Sequence, residues 1–148
     1  MDKESQPLGR NLKIVFMLVG VLTFGVGMVR FFLPGAAGVG TSLADGKPAG
    51  DQWWPWPLRT ELNTRFLGSL FIAVGVGAFW SAMQRTWGQV RALFLPALTF
   101  TALSTATAFI HLGSFNRQRL TTWAFFAIYI VVLIAGIIAY LRYERRNV

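Results

Sequence analysis

The sequence predicts an all-α fold, an integral membrane four-helix bundle with one long Trp/Pro/Gly-rich extracytoplasmic loop, and three observations carry that expectation. Of the 148 residues, 54% are hydrophobic and only 14% charged, against about a quarter charged in an ordinary soluble domain. The apolar residues gather into four long runs, each close to the roughly 20 residues that cross a hydrocarbon core about 30 Å thick. Basic and aromatic residues sit at the edges of these runs, where they serve as topological anchors. Residues 1–148 therefore read as a single membrane domain, with helices at about 13–33, 61–83, 91–112 and 120–142 and a loop over 34–60.

The first helix follows a polar segment of mixed charge, residues 1–13, and takes in the apolar run 14–29 with Phe31, Phe32 and Leu33. Arg30 interrupts it near the far end, where a long side chain can snorkel to the headgroups. Pro34 and Gly35 stop it, because proline has no backbone donor. A signal peptide cleaved within residues 1–37 competes with this reading, since the small residues Gly35, Ala36, Ala37 and Gly38 follow a basic start and an apolar stretch. The run exceeds the roughly 7 to 15 residues of such a segment, which favours four helices.

Between the first two helices the composition turns to Gly, Ala, Pro, Asp and Trp, ending in Trp53, Trp54, Pro55, Trp56 and Pro57. Indoles interleaved with prolines cannot form a regular helix, and their apolar rings with a polar N–H suit the membrane interface. A partner-binding or ligand-covering loop is the alternative. Thr60 then supplies an N-cap hydroxyl and Glu61 a first-turn acid, which together start the second helix. Glu61 and Arg65 are spaced to pair on one face.

The third helix is the polar one, with Pro96, Thr99, Thr101, Ser104, Thr105 and Thr107 in its run. Pro96 is expected about one turn inside its start, where a missing donor costs little, and the hydroxyls are expected to face the bundle. The fourth run, 121–141, is the most uniformly apolar and the one expected to be most exposed to lipid. Glycines add a packing signal. Gly20 and Gly27 are seven apart, as are Gly68 and Gly75, so each pair forms a stripe along which the first two helices can approach closely.

Of the 14 basic residues, Lys3, Arg10, Lys13, Arg85, Arg91, Arg142, Arg145 and Arg146 fall on one side. The positive-inside rule makes that side cytoplasmic and predicts a multi-pass membrane protein with both termini inside. Trp53, Trp54, Trp56 and Trp123 then form an outer aromatic belt, and Trp80, Trp87, Tyr140 and Tyr143 an inner one. The net charge of +8 is accordingly an anchoring feature and no sign of nucleic acid.

Chemistry has few candidates. There is no cysteine, a single histidine and six acidic residues, which excludes thiol chemistry and leaves no set of metal ligands. No carboxylate stands in mid-membrane, which ranks a small-solute transporter or channel last. His111, near the outer end of the third helix with Ser104 and Thr107 on its face, is a candidate cofactor ligand, for example to a pigment, or a hydrogen-bonded interfacial histidine. Arg59, Glu61 and Arg65 under the Trp-rich loop can bind an anionic headgroup or a quinone-like ring, or can orient the second helix as an ion pair.

The segment Arg65, Phe66, Leu67, Gly68 followed by Ala73, Val74 and Gly75 resembles the opening of the second helix in small bacterial four-helix membrane proteins of the DoxX-like type. The resemblance covers the whole chain in helix order and the second helix in residues. It implies the four-helix arrangement and a place in the bacterial inner (cytoplasmic) membrane. The redox associations of that group do not carry over without a cysteine or cofactor motif.

Many contact surfaces and few reactive groups together lead to the expectation of a non-enzymatic accessory or scaffolding subunit, with the lipid bilayer and other membrane protein subunits as partners. The alternative is a binder of a small hydrophobic ligand, a quinone, lipid or pigment, held beneath Trp53, Trp54 and Trp56 with Arg65 and His111 as polar contacts.

Overall fold

A computed structural model describes residues 5–34, 60–115, 117–118 and 120–144. Among them the chain forms four α-helices, α1 (Arg10–Phe32), α2 (Glu61–Met83), α3 (Trp87–Ile110) and α4 (Leu120–Glu144), with a 3-10 turn at Leu112–Ser114. All four are long and apolar enough to cross a membrane. Most of the expected loop, with Trp53, Trp54, Trp56 and Arg59, lies outside the described residues.

Helix ends follow local chemistry. α2 starts as expected: the Asn63 N–H donates to Thr60 Oγ1 at 3.2 Å, and Glu61 faces the positive end of the helix dipole. α3 starts earlier than expected because Thr86 and Gln89 form a capping box. Gln89 Oε1 accepts from the backbone N–H groups of Arg85 at 3.0 Å and Thr86 at 3.2 Å. Pro96 consequently stands in the interior of α3 and not in its first turn, so the helix loses one backbone bond there. α4 continues to Glu144, two residues past its expected end.

α1 and α2 lie antiparallel, and glycines set their separation. A Cβ on Gly27 would lie 2.7 Å from the Ile72 nitrogen, one on Gly68 2.7 Å from the Phe31 nitrogen, and one on Gly75 2.7 Å from Phe24 Cβ. At Gly20 a Cβ would meet the Phe79 ring at 2.9 Å, a side-chain contact. Only glycine permits backbones this close, so the two stripes read from the sequence do meet. Gly25 and Gly77 have open space where a Cβ would be.

The structure corrects the expectation for Arg30. The residue is fully buried, so its side chain is covered by protein instead of reaching outward from the helix end.

The end of the bundle that carries the chain termini is locked by side chains from three segments. The backbone of residues 6–8 pairs with the link between α2 and α3, through Leu8 N–H to the Arg85 carbonyl and Trp87 N–H to the Gln6 carbonyl, both 2.8 Å. Trp87 is fully buried among Leu8, Val90 and Phe94. Its ring stacks on Tyr143 with centroids 4.8 Å apart, and its Nε1–H donates to Glu144 Oε1 at 3.2 Å. Arg91 Nε lies 2.8 Å from the same oxygen. Trp87 thus belongs to a core, with Tyr143 partly buried against it, while Trp80 remains exposed.

Candidate functional site

At the opposite end, where the α3–α4 turn lies, α2, α3 and α4 diverge around an open cleft of about 460 Å³. Leu67 and Phe71 of α2 and Phe100 and Leu103 of α3 supply apolar wall. The polar groups come largely from one edge of α3 and the turn after it: Ser104, Thr107, His111 and Ser114. The first three are spaced three and four residues apart, which stacks them on one helix face. His111 is the C-cap of α3, where the helix ends and its backbone N–H still bonds the Thr107 carbonyl at 3.0 Å. His111 lines the cleft and is exposed. Both imidazole nitrogens and the two nearby hydroxyls can donate or accept hydrogen bonds.

The third helix is less uniformly turned inward than its composition suggests. Thr105 is buried and Thr107 exposed; Thr101 and Thr105 donate to the carbonyls of Ala97 at 2.9 Å and Thr101 at 2.7 Å. Those two hydroxyls are satisfied within their own helix. Ser104 and Thr107 line the cleft.

Tyr129 of α4 also lines the cleft, and sequence reasoning passed over it. The available signal is a lone phenol in the middle of an otherwise apolar run, where the hydroxyl calls for a polar partner. Its ring sits 4.4 Å from that of Phe125. Tyr129, Phe71 and Phe100 also border a smaller cavity of about 100 Å³ deeper in the bundle, walled by Val19, Val74 and Thr101 among others. An outer chamber with a polar edge therefore adjoins an inner apolar one across a shared set of aromatic rings.

The remaining sequence candidates stand elsewhere. Arg65 Nη1 donates to the Phe31 carbonyl at 3.0 Å, capping the C-terminal end of α1, where carbonyls lack helical partners. Its Nη2 lies 3.8 Å from Glu61 Oε2, with both side chains largely exposed. Neither residue lines the cleft, so the structure does not bring Arg65 and His111 to one ligand surface. Trp53, Trp54, Trp56 and Arg59 lie outside the described residues. Among the described residues, no group of three or more His, Cys, Asp or Glu could hold a metal ion.

Comparison of the chain with protein-family models, with curated proteins and with solved structures gives no match in any of the three.

Proposed function

We propose that this is a non-enzymatic, multi-pass protein of the bacterial cytoplasmic membrane, with both termini cytoplasmic, that binds a small apolar ligand bearing a hydrogen-bonding head. The cleft between α2, α3 and α4 carries the proposal: it combines apolar walls with Ser104, Thr107 and His111 on one edge. Four helices of membrane length and the distribution of basic residues support the topology. Ligand sites of this kind are mostly apolar, with a few placed polar groups that fix orientation. The ligand class is a quinone-like ring or lipid head with oxygen acceptors, its apolar part directed towards the inner cavity beyond Phe71 and Tyr129.

Purification from native membranes in mild detergent, followed by solvent extraction and mass and absorbance analysis, tests this. A bound quinone, lipid or pigment is expected, and His111→Leu should lower its content without changing helicity. Protein that is folded and free of any such molecule would refute the binder.

A second reading, the accessory subunit, is favoured by α4. Its membrane-length window is only 6% buried, and Val131, Ile134 and Ile138 are exposed along it. Larger subunits in fixed stoichiometry in the same purification would support this reading, and a homogeneous small particle would count against it.

A further inference from the structure

A second groove lies at the end of the bundle that carries the chain termini, between α1 and α4. Its volume is about 610 Å³, and it is distinct from the loop-end cleft, with which it shares no residue. Val15 of α1 and Ala135, Ile138 and Ala139 of α4 form apolar wall. The charged residues on its walls, among the described residues, are Arg10 and Arg142, one from each helix and both exposed. The groove is thus basic at its mouth and apolar along its length: Ala135 stands seven residues before Arg142, about 10 Å along the helix.

Two further observations sharpen the charge. Arg10 opens α1, and the first turn of that helix contains no acidic residue, so its positive dipole end adds to the two guanidinium groups with no protein carboxylate in that turn. The nearest acid in sequence to Arg142 is Glu144, which is turned towards α3 by Arg91 at 2.8 Å and by Trp87 at 3.2 Å. The groove wall is also fixed in place, since Tyr143 stacks on Trp87 and its hydroxyl accepts from the Gly9 N–H at 2.7 Å.

We infer that this groove is a binding site for an anionic glycerophospholipid of the leaflet at the terminal end. Arg10 and Arg142 hold the headgroup phosphate, and an acyl chain lies along Val15, Ala135 and Ile138. Arginine suits this role because its planar fork meets two phosphate oxygens at once, and basic sites between membrane helices on the cytoplasmic side recognise such headgroups. The inference rests on the membrane reading above and is independent of the loop-end ligand.

The full-length protein is first reconstituted in liposomes and subjected to alkaline carbonate extraction. Release of the protein would overturn the membrane reading and this site together. An integrated protein is then taken into mild detergent, supplied with phosphatidylglycerol and phosphatidylcholine of identical chains, and analysed by native mass spectrometry. The wild type is expected to retain phosphatidylglycerol about thirtyfold over phosphatidylcholine, a ratio that fits two basic contacts at the headgroup. Arg10→Gln with Arg142→Gln should erase the preference, whereas Arg117→Gln, at the other end of the bundle, should keep it. Ala135→Phe retains both charges and fills the groove, so it should lower phosphatidylglycerol retention even if the double variant does not fold. Equal retention of the two lipids by the wild type, an unchanged preference in the double variant, or a second copy of the chain in place of lipid would each overturn the site while leaving the membrane reading intact.

Discussion

Gly27 of α1 and Gly68 of α2 meet backbone to backbone: a Cβ on Gly27 would lie 2.8 Å from the Gly68 carbonyl oxygen, and one on Gly68 2.9 Å from the Gly27 carbonyl oxygen. Neither neighbour can give way as a flexible side chain would. Gly27→Ala and Gly68→Ala are each expected to lower stability in detergent by about 1–3 kcal/mol, the cost of overpacking a close contact. Gly25→Ala and Gly77→Ala meet open space and should be neutral or stabilising by up to about 1 kcal/mol through helix propensity. Equal losses at all four positions in a thermal or denaturant series would show that helix formation, and not this crossing, sets the effect.

Trp87 ties α3 to the end of α4. Removing its buried ring in Trp87→Ala should cost about 3–5 kcal/mol. Trp87→Phe, which keeps a ring against Tyr143 but loses the donor to Glu144, should cost less. The Arg91 side chain is 43% exposed, so solvent screening limits its double-mutant coupling to Glu144 to about 1 kcal/mol. Coupling near zero in that cycle would reduce the ion pair to a bystander of the aromatic contact.

Arg65 reaches from α2 to the last turn of α1, where it donates to the Phe31 carbonyl. Arg65→Met should fray that turn at a cost of about 1 kcal/mol. Amide exchange at Leu33, whose N–H bonds the Val29 carbonyl at 2.9 Å, is the measurement, and faster exchange with little change at Thr64 or Gly68 is expected. Exchange identical to that of the wild type would remove Arg65 from the capping role.

Tyr129 stands between the outer cleft and the inner cavity. Tyr129→Trp should narrow the passage and shift ligand preference towards shorter apolar tails. A buried methylene contributes about 0.8 kcal/mol, about fourfold in affinity, so a series of analogues differing in chain length should show the wild type gaining by that step and the variant not. If both respond alike to chain length, the inner cavity takes no part in binding.

Much of the architecture is legible in the sequence, and the reasons are local. The Asn63–Thr60 cap bond and the stop before Pro34 depend on residues within one helical turn. The glycine stripes are a matter of spacing, since residues seven apart fall on the same side of a helix. The start of α3 was legible in principle: Thr86 and Gln89 form the Thr-x-x-Gln pattern of a capping box, but the apolar run that begins at Ala92 marked the helix too late. At the loop-end cleft, the shared face of Ser104, Thr107 and His111 follows from spacing alone. The contribution of Tyr129 does not, because its helix carries no periodic polar signal.

The sequence by itself determined four apolar helices, about half of their ends to within a residue, and which faces of α1 and α2 are smooth enough to touch, because hydropathy, capping and helical spacing are properties of short stretches of chain. Tertiary structure alone decided which partners long polar and aromatic side chains take: Arg30 is buried, Arg65 caps α1 instead of joining His111, and Trp87 is buried beside Glu144. These side chains reach several ångströms from their own backbone, so their environment is set by helices distant in sequence whose positions no local pattern encodes.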